Sequence, residues 1–321
     1  MSQRCSPIVV VGSGRSGTTF LAKLLDSHPR VLYRHEPDWA LVDRSIPFLP
    51  GPDDRERCLR QAGEYLRRLE NVRALKVSGK EPFFRKSYRS SPREAAYRLN
   101  VAAARLLDRV GIAQKRDTVR DMVGRGAPDN VVTVIKSVNS VARAPLFADA
   151  LPRVRLVHIV RHPAGVIASR LRGADRGLMD SRVYINSLFD AGYADQWAWQ
   201  REEVKSWPIE KQLAFEWMVV NEFVYRSLET HEAYMCVTHE ALSRSTEAET
   251  RKIFAHAGLD WNEQTAGFVQ SLTSRCGQSG YFDVQRAPET QIAKWREELT
   301  EQQVSWIEEV VTPSLVGKWF L

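Results

Sequence analysis

Short apolar runs alternate with helix-like stretches along most of this chain. Ile8-Val9-Val10-Val11, Val31-Leu32-Tyr33, Val131–Lys136, Val154–Val160 and Tyr234–Thr238 read as strands. Their near-continuous apolarity suits strands buried on both faces, as in a parallel sheet. Val72–Val77 reads as another strand, which would make Lys136 the end of the fourth. Between them the period lengthens to that of helices. Phe20–Asp26, Asp53–Leu69, Pro92–Val110, Thr118–Val123, a stretch ending at Ala150, and a segment opening at Ala164 all fit. So do Ser187–Thr230 (broken near Trp207-Pro208), Glu247–Ala257 and Glu301–Thr312. Alternating strands and helices predict an α/β fold, a doubly wound, mostly parallel sheet with helices on both faces. No Pro/Gly/Ser linker divides the chain. One domain over residues 1–321 is expected, with a helical insertion at about 175–232 that carries Trp197, Trp199, Trp207 and Trp217.

Two strand ends carry chemistry. The first strand runs into Gly12-Ser13-Gly14-Arg15-Ser16-Gly17-Thr18-Thr19-Phe20 and then a helix. Such a turn aims backbone N–H groups at the helix start, where the macrodipole favours an anion. Gly12 and Gly17 have the spacing of the nucleoside-triphosphate loop, but Thr18 stands where that loop needs its lysine. The cation is Arg15, inside the loop. At the second strand end, Arg161-His162-Pro163 follows Val160, and Ser169 lies eight residues past Arg161. Pro163 suits a first helical turn. A guanidinium and a hydroxyl two turns apart can converge on one phosphate. Two phosphate sites suggest a nucleotide with phosphates on both its 5′ and 3′ sides.

Arg15–Leu21, Arg161-His162-Pro163 with Ser169, and Val237–Leu242 followed by Thr246–Leu259 together resemble sulfotransferases that use 3′-phosphoadenosine-5′-phosphosulfate. The likeness is closer to the carbohydrate and tyrosylprotein type than to the cytosolic aryl type, and spans about residues 7–320. It implies a P-loop-like fold and transfer of a sulfonate group to an acceptor hydroxyl or amine, without a metal. It also implies that Gly14, Arg15, Ser16, Gly17, Thr18, Thr19 and Phe20 hold the 5′-phosphosulfate, and that Arg161 and Ser169 hold the 3′-phosphate. Arg275, in Arg275-Cys276-Gly277-Gln278-Ser279-Gly280, lies where the family covers the 3′-phosphate, although Cys276 replaces its lysine.

The resemblance extends to a base. Glu36, in Tyr33-Arg34-His35-Glu36-Pro37, matches a segment whose glutamate takes the acceptor's proton, and it follows a strand end, where α/β sheets build sites. His35 is the runner-up, since imidazole titrates near neutrality. An ion pair of Glu36 with Arg34, or a surface turn, is the plain structural reading. Lys136, in Val134-Ile135-Lys136-Ser137, resembles a strand-end lysine of the family, though without the proline that follows there, and is a candidate contact for the sulfonate or the acceptor. A carbohydrate or glycoconjugate acceptor is expected, with the tryptophan-rich insertion covering it.

Composition narrows this further. The chain has 46 Lys and Arg against 39 Asp and Glu, a formal net charge of +7. The excess suits an anionic nucleotide. The basic residues are scattered, with no aromatic-basic module, so nucleic acid is not an expected partner. Cys5, Cys58, Cys236 and Cys276 form no C-x-x-C pair, and the histidines show no metal spacing. No run reaches the roughly 18–20 apolar residues a bilayer requires, and no leader-like segment opens the chain. A soluble cytoplasmic enzyme is expected. Two other readings stand beside it: a P-loop kinase or nucleotidase, and an inactive nucleotide-binding module that keeps Arg161 and Ser169 but has no need of Glu36.

Overall fold

A computed structural model describes residues 7–51, 53–111, 119–124, 131–178, 183–273 and 292–321. Five strands, β1 (Ile8–Val11), β2 (Val31–His35), β3 (Val132–Ser137), β4 (Arg155–Val160) and β5 (Tyr234–Thr238), form one sheet. Their order is β2-β3-β1-β4-β5 and every pairing is parallel. Strand alternation sorts the side chains to two faces. Ile8, Val10, Val134, Val157 and Ile159 enter one core. Val9, Val11, Ile135 and Leu156 enter another. Both faces being apolar, neither can be left to water, and helices cover each.

The first half supplies α1 (Thr18–Asp26), α2 (Pro37–Ala40), α3 (Asp54–Leu69), α4 (Leu75–Ser78), α5 (Ser91–Arg109) and α6 (Ala144–Ala150). The second half begins with α7 (Pro163–Asp175), α8 (Ile185–Asp190), α9 (Arg201–Ser206) and α10 (Ile209–Leu228). It ends with α11 (His239–Arg244), α12 (Thr246–Ala257), α13 (Glu263–Thr273), α14 (Trp295–Glu298) and α15 (Glu301–Val311). Leu21, Leu24 and Leu25 of α1 join Ile253 and Phe254 of α12 and Phe268 of α13 on one face. Cys58, Tyr65 and Leu66 of α3 and Phe147 of α6 cover the other.

The chain leaves β1 towards β2 and β3 on one side, then towards β4 and β5 on the other. The crevice at the end of β1 is therefore a topological switch point, where open α/β sheets place ligands. Register aligns the mouths: Val11 sits beside Ser137 and His158, and His35 beside Lys136.

Three sequence expectations need correction. Residues 72–77 are not a strand. Ala74, Val77 and Ser78 are the buried positions, a helical i, i+3, i+4 spacing, and the segment holds α4. Lys136 accordingly belongs to the third strand. The described part of the helix expected at 118–123, residues 119–124, is not helical; Val119 is pinned by its N–H to Arg73 O and Asp121 by Arg34. The insertion has its break at Trp207-Pro208, where α9 ends and α10 begins, but residues 191–200, between α8 and α9, are turns rather than helix. Trp199 and Trp207 meet Phe215 edge-on at centroid distances of 6.0 and 6.1 Å, as core rings rather than ligand platforms. Among the described residues no helix is long and apolar enough to cross a membrane.

Candidate functional site

The loop after β1 is shaped by close approach. A Cβ on Gly12 would collide with Ile159 O of β4, and one on Gly17 would strike the ring of His239. Gly17 also has φ of +90°, which favours glycine. Gly14, by contrast, faces open space. The N-terminus of α1 has neither a side-chain cap nor an acidic residue in its first turn, so its amides point at the crevice unopposed. Thr18 is buried, Thr19 is half-buried, and Phe20 packs its ring against the core below. Ser16 is fully buried, and its Oγ has no hydrogen-bond partner among the described residues. An orphaned hydroxyl inside an amide-lined turn fits an anion.

The mouth of β4 adjoins this loop. His162 caps α7, its Nδ1 accepting from Ala164 N at 3.2 Å, and its ring stacks on Trp295 of α14 at 4.5 Å. Arg161 donates to Arg15 O at 3.1 Å, and Arg15 Nε donates to Ser169 Oγ at 2.9 Å. The structure thus brings Arg15, Arg161 and Ser169 together from the ends of two neighbouring strands. Arg172, which sequence reasoning missed, also reaches Ser169, at 3.4 Å, and pairs with Glu298. Its signal was available: it lies one turn past Ser169 on the same helix face. Arg275 lies outside the described residues.

On the other side of β1 stand Glu36 and Lys136. Glu36 N donates to Lys136 O at 2.7 Å, and Lys136 Nζ meets Glu36 Oε1 at 2.5 Å. Lys76 of α4, a residue placed in a strand by the sequence reading, reaches Glu36 Oε2 at 3.3 Å. Arg34 is not the partner of Glu36. It is buried and bonded in bidentate fashion to Asp121, at 2.8 Å to each oxygen. Burial alone would raise the Glu36 carboxyl, but the charges of Lys136 and Lys76 and the Lys136 hydrogen bond outweigh it and hold it at about 2. Burial, reinforced by Lys136, drives His35 down to about 2 as well. His35 is therefore a neutral imidazole, with Nδ1 2.8 Å from Tyr33 Oη, and a poor proton acceptor.

Strain marks both ends of the site. Arg15, Glu36 and Met122 are the non-glycine residues of positive φ among the described residues, and two of the three are site candidates. A left-handed non-glycine residue costs of order 1–3 kcal/mol and persists where surroundings fix it. For Glu36 those surroundings are Lys136, Lys76 and the start of α2.

A cavity of about 240 Å³ opens beside Ser13 and Gly14, walled by Val138 and Asn139 beyond β3, by Phe48 and Tyr184, and by Trp217 of α10. Phe48 and Tyr184 also border an outer cavity of about 790 Å³. Asn221, buried on α10, donates to Ser13 Oγ at 3.2 Å and receives His158 Nε2 at 3.0 Å, so the insertion braces the loop. Among the described residues, no group of three or more His, Cys, Asp or Glu can hold a metal ion.

Known proteins are similar to this chain. The model for a group described as "Sulfotransferase family" matches residues 7–263. Carbohydrate sulfotransferase 4 of Mus musculus is 22% identical over an alignment covering 96% of this chain and 80% of that protein. Carbohydrate sulfotransferase 6 of Homo sapiens is 23% identical, covering 84% and 68%. Among solved structures, a sulfotransferase domain from the curacin biosynthetic pathway is 14% identical, with a TM-score of 0.46, and covers 97% of this chain and 99% of that one. Mouse SULT7A1 complexed with PAP is also 14% identical, with a TM-score of 0.44, covering 98% and 88%.

Proposed function

This chain belongs to the sulfotransferase family and is an enzyme of sulfonate transfer; we propose that its donor is 3′-phosphoadenosine-5′-phosphosulfate and its acceptor a carbohydrate hydroxyl. The observation that carries the reading is the meeting of Arg15, Arg161 and Ser169 at adjoining strand mouths. One guanidinium lies inside an amide-lined turn and the other beyond a second strand. This suits two anionic groups on one small molecule.

The residues present fit such a donor. Arg15, the orphaned Ser16 hydroxyl, Thr18, Thr19 and the amides of the α1 N-terminus bind its 5′ end. Arg161 and Ser169 bind its 3′-phosphate. When bound, the donor supplies an activated sulfonate whose leaving group is a phosphate oxygen. Arg15 and the loop amides oppose charge that develops on that oxygen. Glu36 takes the proton of the acceptor hydroxyl. A carboxylate held near 2 is a weak base. It gains the proton only as the attacking oxygen becomes acidic through its new bond to sulfur, so proton transfer accompanies attack. Lys136 keeps Glu36 ionised and oriented, and its ammonium lies at the same strand mouth as the reacting group. The apolar-walled cavity beside Gly14 gives the acceptor its route to the loop. Named carbohydrate sulfotransferases among the relatives support the choice of acceptor.

Calorimetry with adenosine 3′,5′-bisphosphate against ATP, with magnesium chelated, tests the donor. Tighter binding of the bisphosphate is expected, and a preference for ATP overturns the reading. A screen with donor labelled in the sulfonate, over sugars, lipids, phenols and peptides, tests the acceptor. Label appearing on phenols or peptides but on no sugar overturns that part.

A further inference from the structure

Trp39 lies one turn along α2 from Glu36, whose carbonyl its backbone N–H meets at 3.1 Å, and it is 41% exposed. Lys76 Nζ lies 4.4 Å from the centre of the Trp39 ring while also reaching Glu36 Oε2 at 3.3 Å. One ammonium therefore occupies the space over an exposed aromatic face and beside the candidate base. The Lys76 side chain is 43% exposed and can swing out, whereas that of Lys136 is 3% exposed and cannot.

We propose that Trp39 is the acceptor-stacking residue of this enzyme and that Lys76 is a removable cover on it. The flat face of a sugar ring lies on the indole, displaces the Lys76 ammonium, and presents a ring hydroxyl to the Glu36 oxygen that Lys76 leaves. The inference rests on the carbohydrate reading above and adds to it the residues that select a ring. Magnitudes permit the exchange. A cation–π contact at an exposed ring and an ion pair to a largely exposed lysine are each weak. A large aromatic face buried against a ligand offers more than their sum. The step is an exchange of contacts, with no bond made or broken before transfer.

The site also dictates which groups surround the hydroxyl. Lys136 from β3, Lys76 from α4, His35 from β2 and Asp38 from α2 face Glu36. Asp38 Oδ2 accepts from the hydroxyls of Ser137 and Ser140.

The test uses the full chain saturated with adenosine 3′,5′-bisphosphate on a printed array of neutral and acidic glycans. Wild type is expected to bind sugars. Trp39→Ala should lose at least about tenfold in binding on the same glycans, and Trp39→Phe should retain most of it. Lys76→Met should bind neutral glycans about threefold or more tighter, since no cover has to move. Bisphosphate affinity should stay within about twofold in all three variants, since none touches the donor loop. No capture of any glycan by wild type overturns the proposal, as does equal capture by Trp39→Ala. Neutral-glycan binding that is weaker or unchanged in Lys76→Met overturns the cover. Failure of wild type to bind the bisphosphate at all instead defeats the underlying donor reading.

Discussion

Two carboxylates in this molecule each lie between a pair of lysines. Asp26, at the end of α1, receives Lys23 at 2.7 Å and Lys86 at 2.8 Å. Glu36, at the mouth of β2, receives Lys136 at 2.5 Å and Lys76 at 3.3 Å. The Asp26 cluster is closed. Lys23 also donates to Lys80 O and Pro82 O, at 2.6 and 3.1 Å, and Lys86 to the carbonyls of Asp26 and His28. The ammonium hydrogens are used and all three side chains are buried. The Glu36 cluster is open on one side, where Lys76 reaches solvent and an exposed indole. Equal charge thus serves two purposes. Completing every hydrogen bond makes a fastening, and leaving one partner removable makes a site.

Breaking the closed cluster should have the largest effect. Asp26→Ala leaves two buried ammoniums without their anion, at a cost of about 3–5 kcal/mol. Thermal or urea unfolding reads this directly; a midpoint within a degree of wild type would show that the cluster is not a fastening. The pH dependence follows in sign. Burial favours the neutral acid, but the two lysines outweigh it and hold Asp26 below its usual 3.8. Its stabilisation is therefore present above about pH 4 and lost as pH falls through the depressed value. Asp26→Asn should remove that part of the acid transition.

Glu36→Gln comes next. It keeps shape but removes the base, so turnover should fall by at least about 10²-fold with bisphosphate affinity unchanged. Turnover near wild type takes Glu36 out of the mechanism. Because Glu36 titrates at about 2, wild-type turnover should show no acid limb from this group above about pH 4. Lys76→Met, by removing one cation, should move that limb upward.

The contrast also explains what could be read without coordinates. β1, β3 and β4 were legible because both faces of a central parallel strand are apolar, the edge strands β2 and β5 as shorter apolar runs, and the two anion loops because Gly12, Gly17 and Pro163 punctuate strand ends. Residues 72–77 misled because Val72, Ala74 and Val77 are compatible with either period in so short a run, and packing chose the helical one. That error hid Lys76. The partner of Glu36 was equally out of reach, since Lys136 lies 100 positions away and only the β2–β3 register brings them together. Arg34 seemed the obvious mate by proximity. Strand alternation alone would keep residues 34 and 36 on one face, but Glu36 lies past the strand end in a left-handed conformation, and Arg34 pairs with Asp121 across 87 positions.

The donor side offers a further comparison with the removable lysine. Arg161→Met deletes a guanidinium set to hold the 3′-phosphate, and charge-assisted bonds of this kind are worth about 1.5–3 kcal/mol. Bisphosphate affinity should drop by about 10- to 100-fold, while the pH profile set by Glu36 stays in place. An affinity within about threefold of wild type would separate Arg161 from the nucleotide.

Ser169→Ala should have the smallest effect, and for an instructive reason. Ser169 Oγ already accepts from Arg15 Nε at 2.9 Å, so donor binding exchanges that contact for a phosphate bond. An exchange of one hydrogen bond for another nets little, about 0.5–1.5 kcal/mol at most. Removing the hydroxyl also removes one contact of Arg15. The loss should be about threefold for adenosine 3′,5′-bisphosphate and absent for adenosine 5′-phosphosulfate, which has no 3′-phosphate. Calorimetry with both nucleotides separates the roles. An equal loss for the two would mean that Ser169 supports the loop through Arg15, and that this contact is a fastening like the one at Asp26.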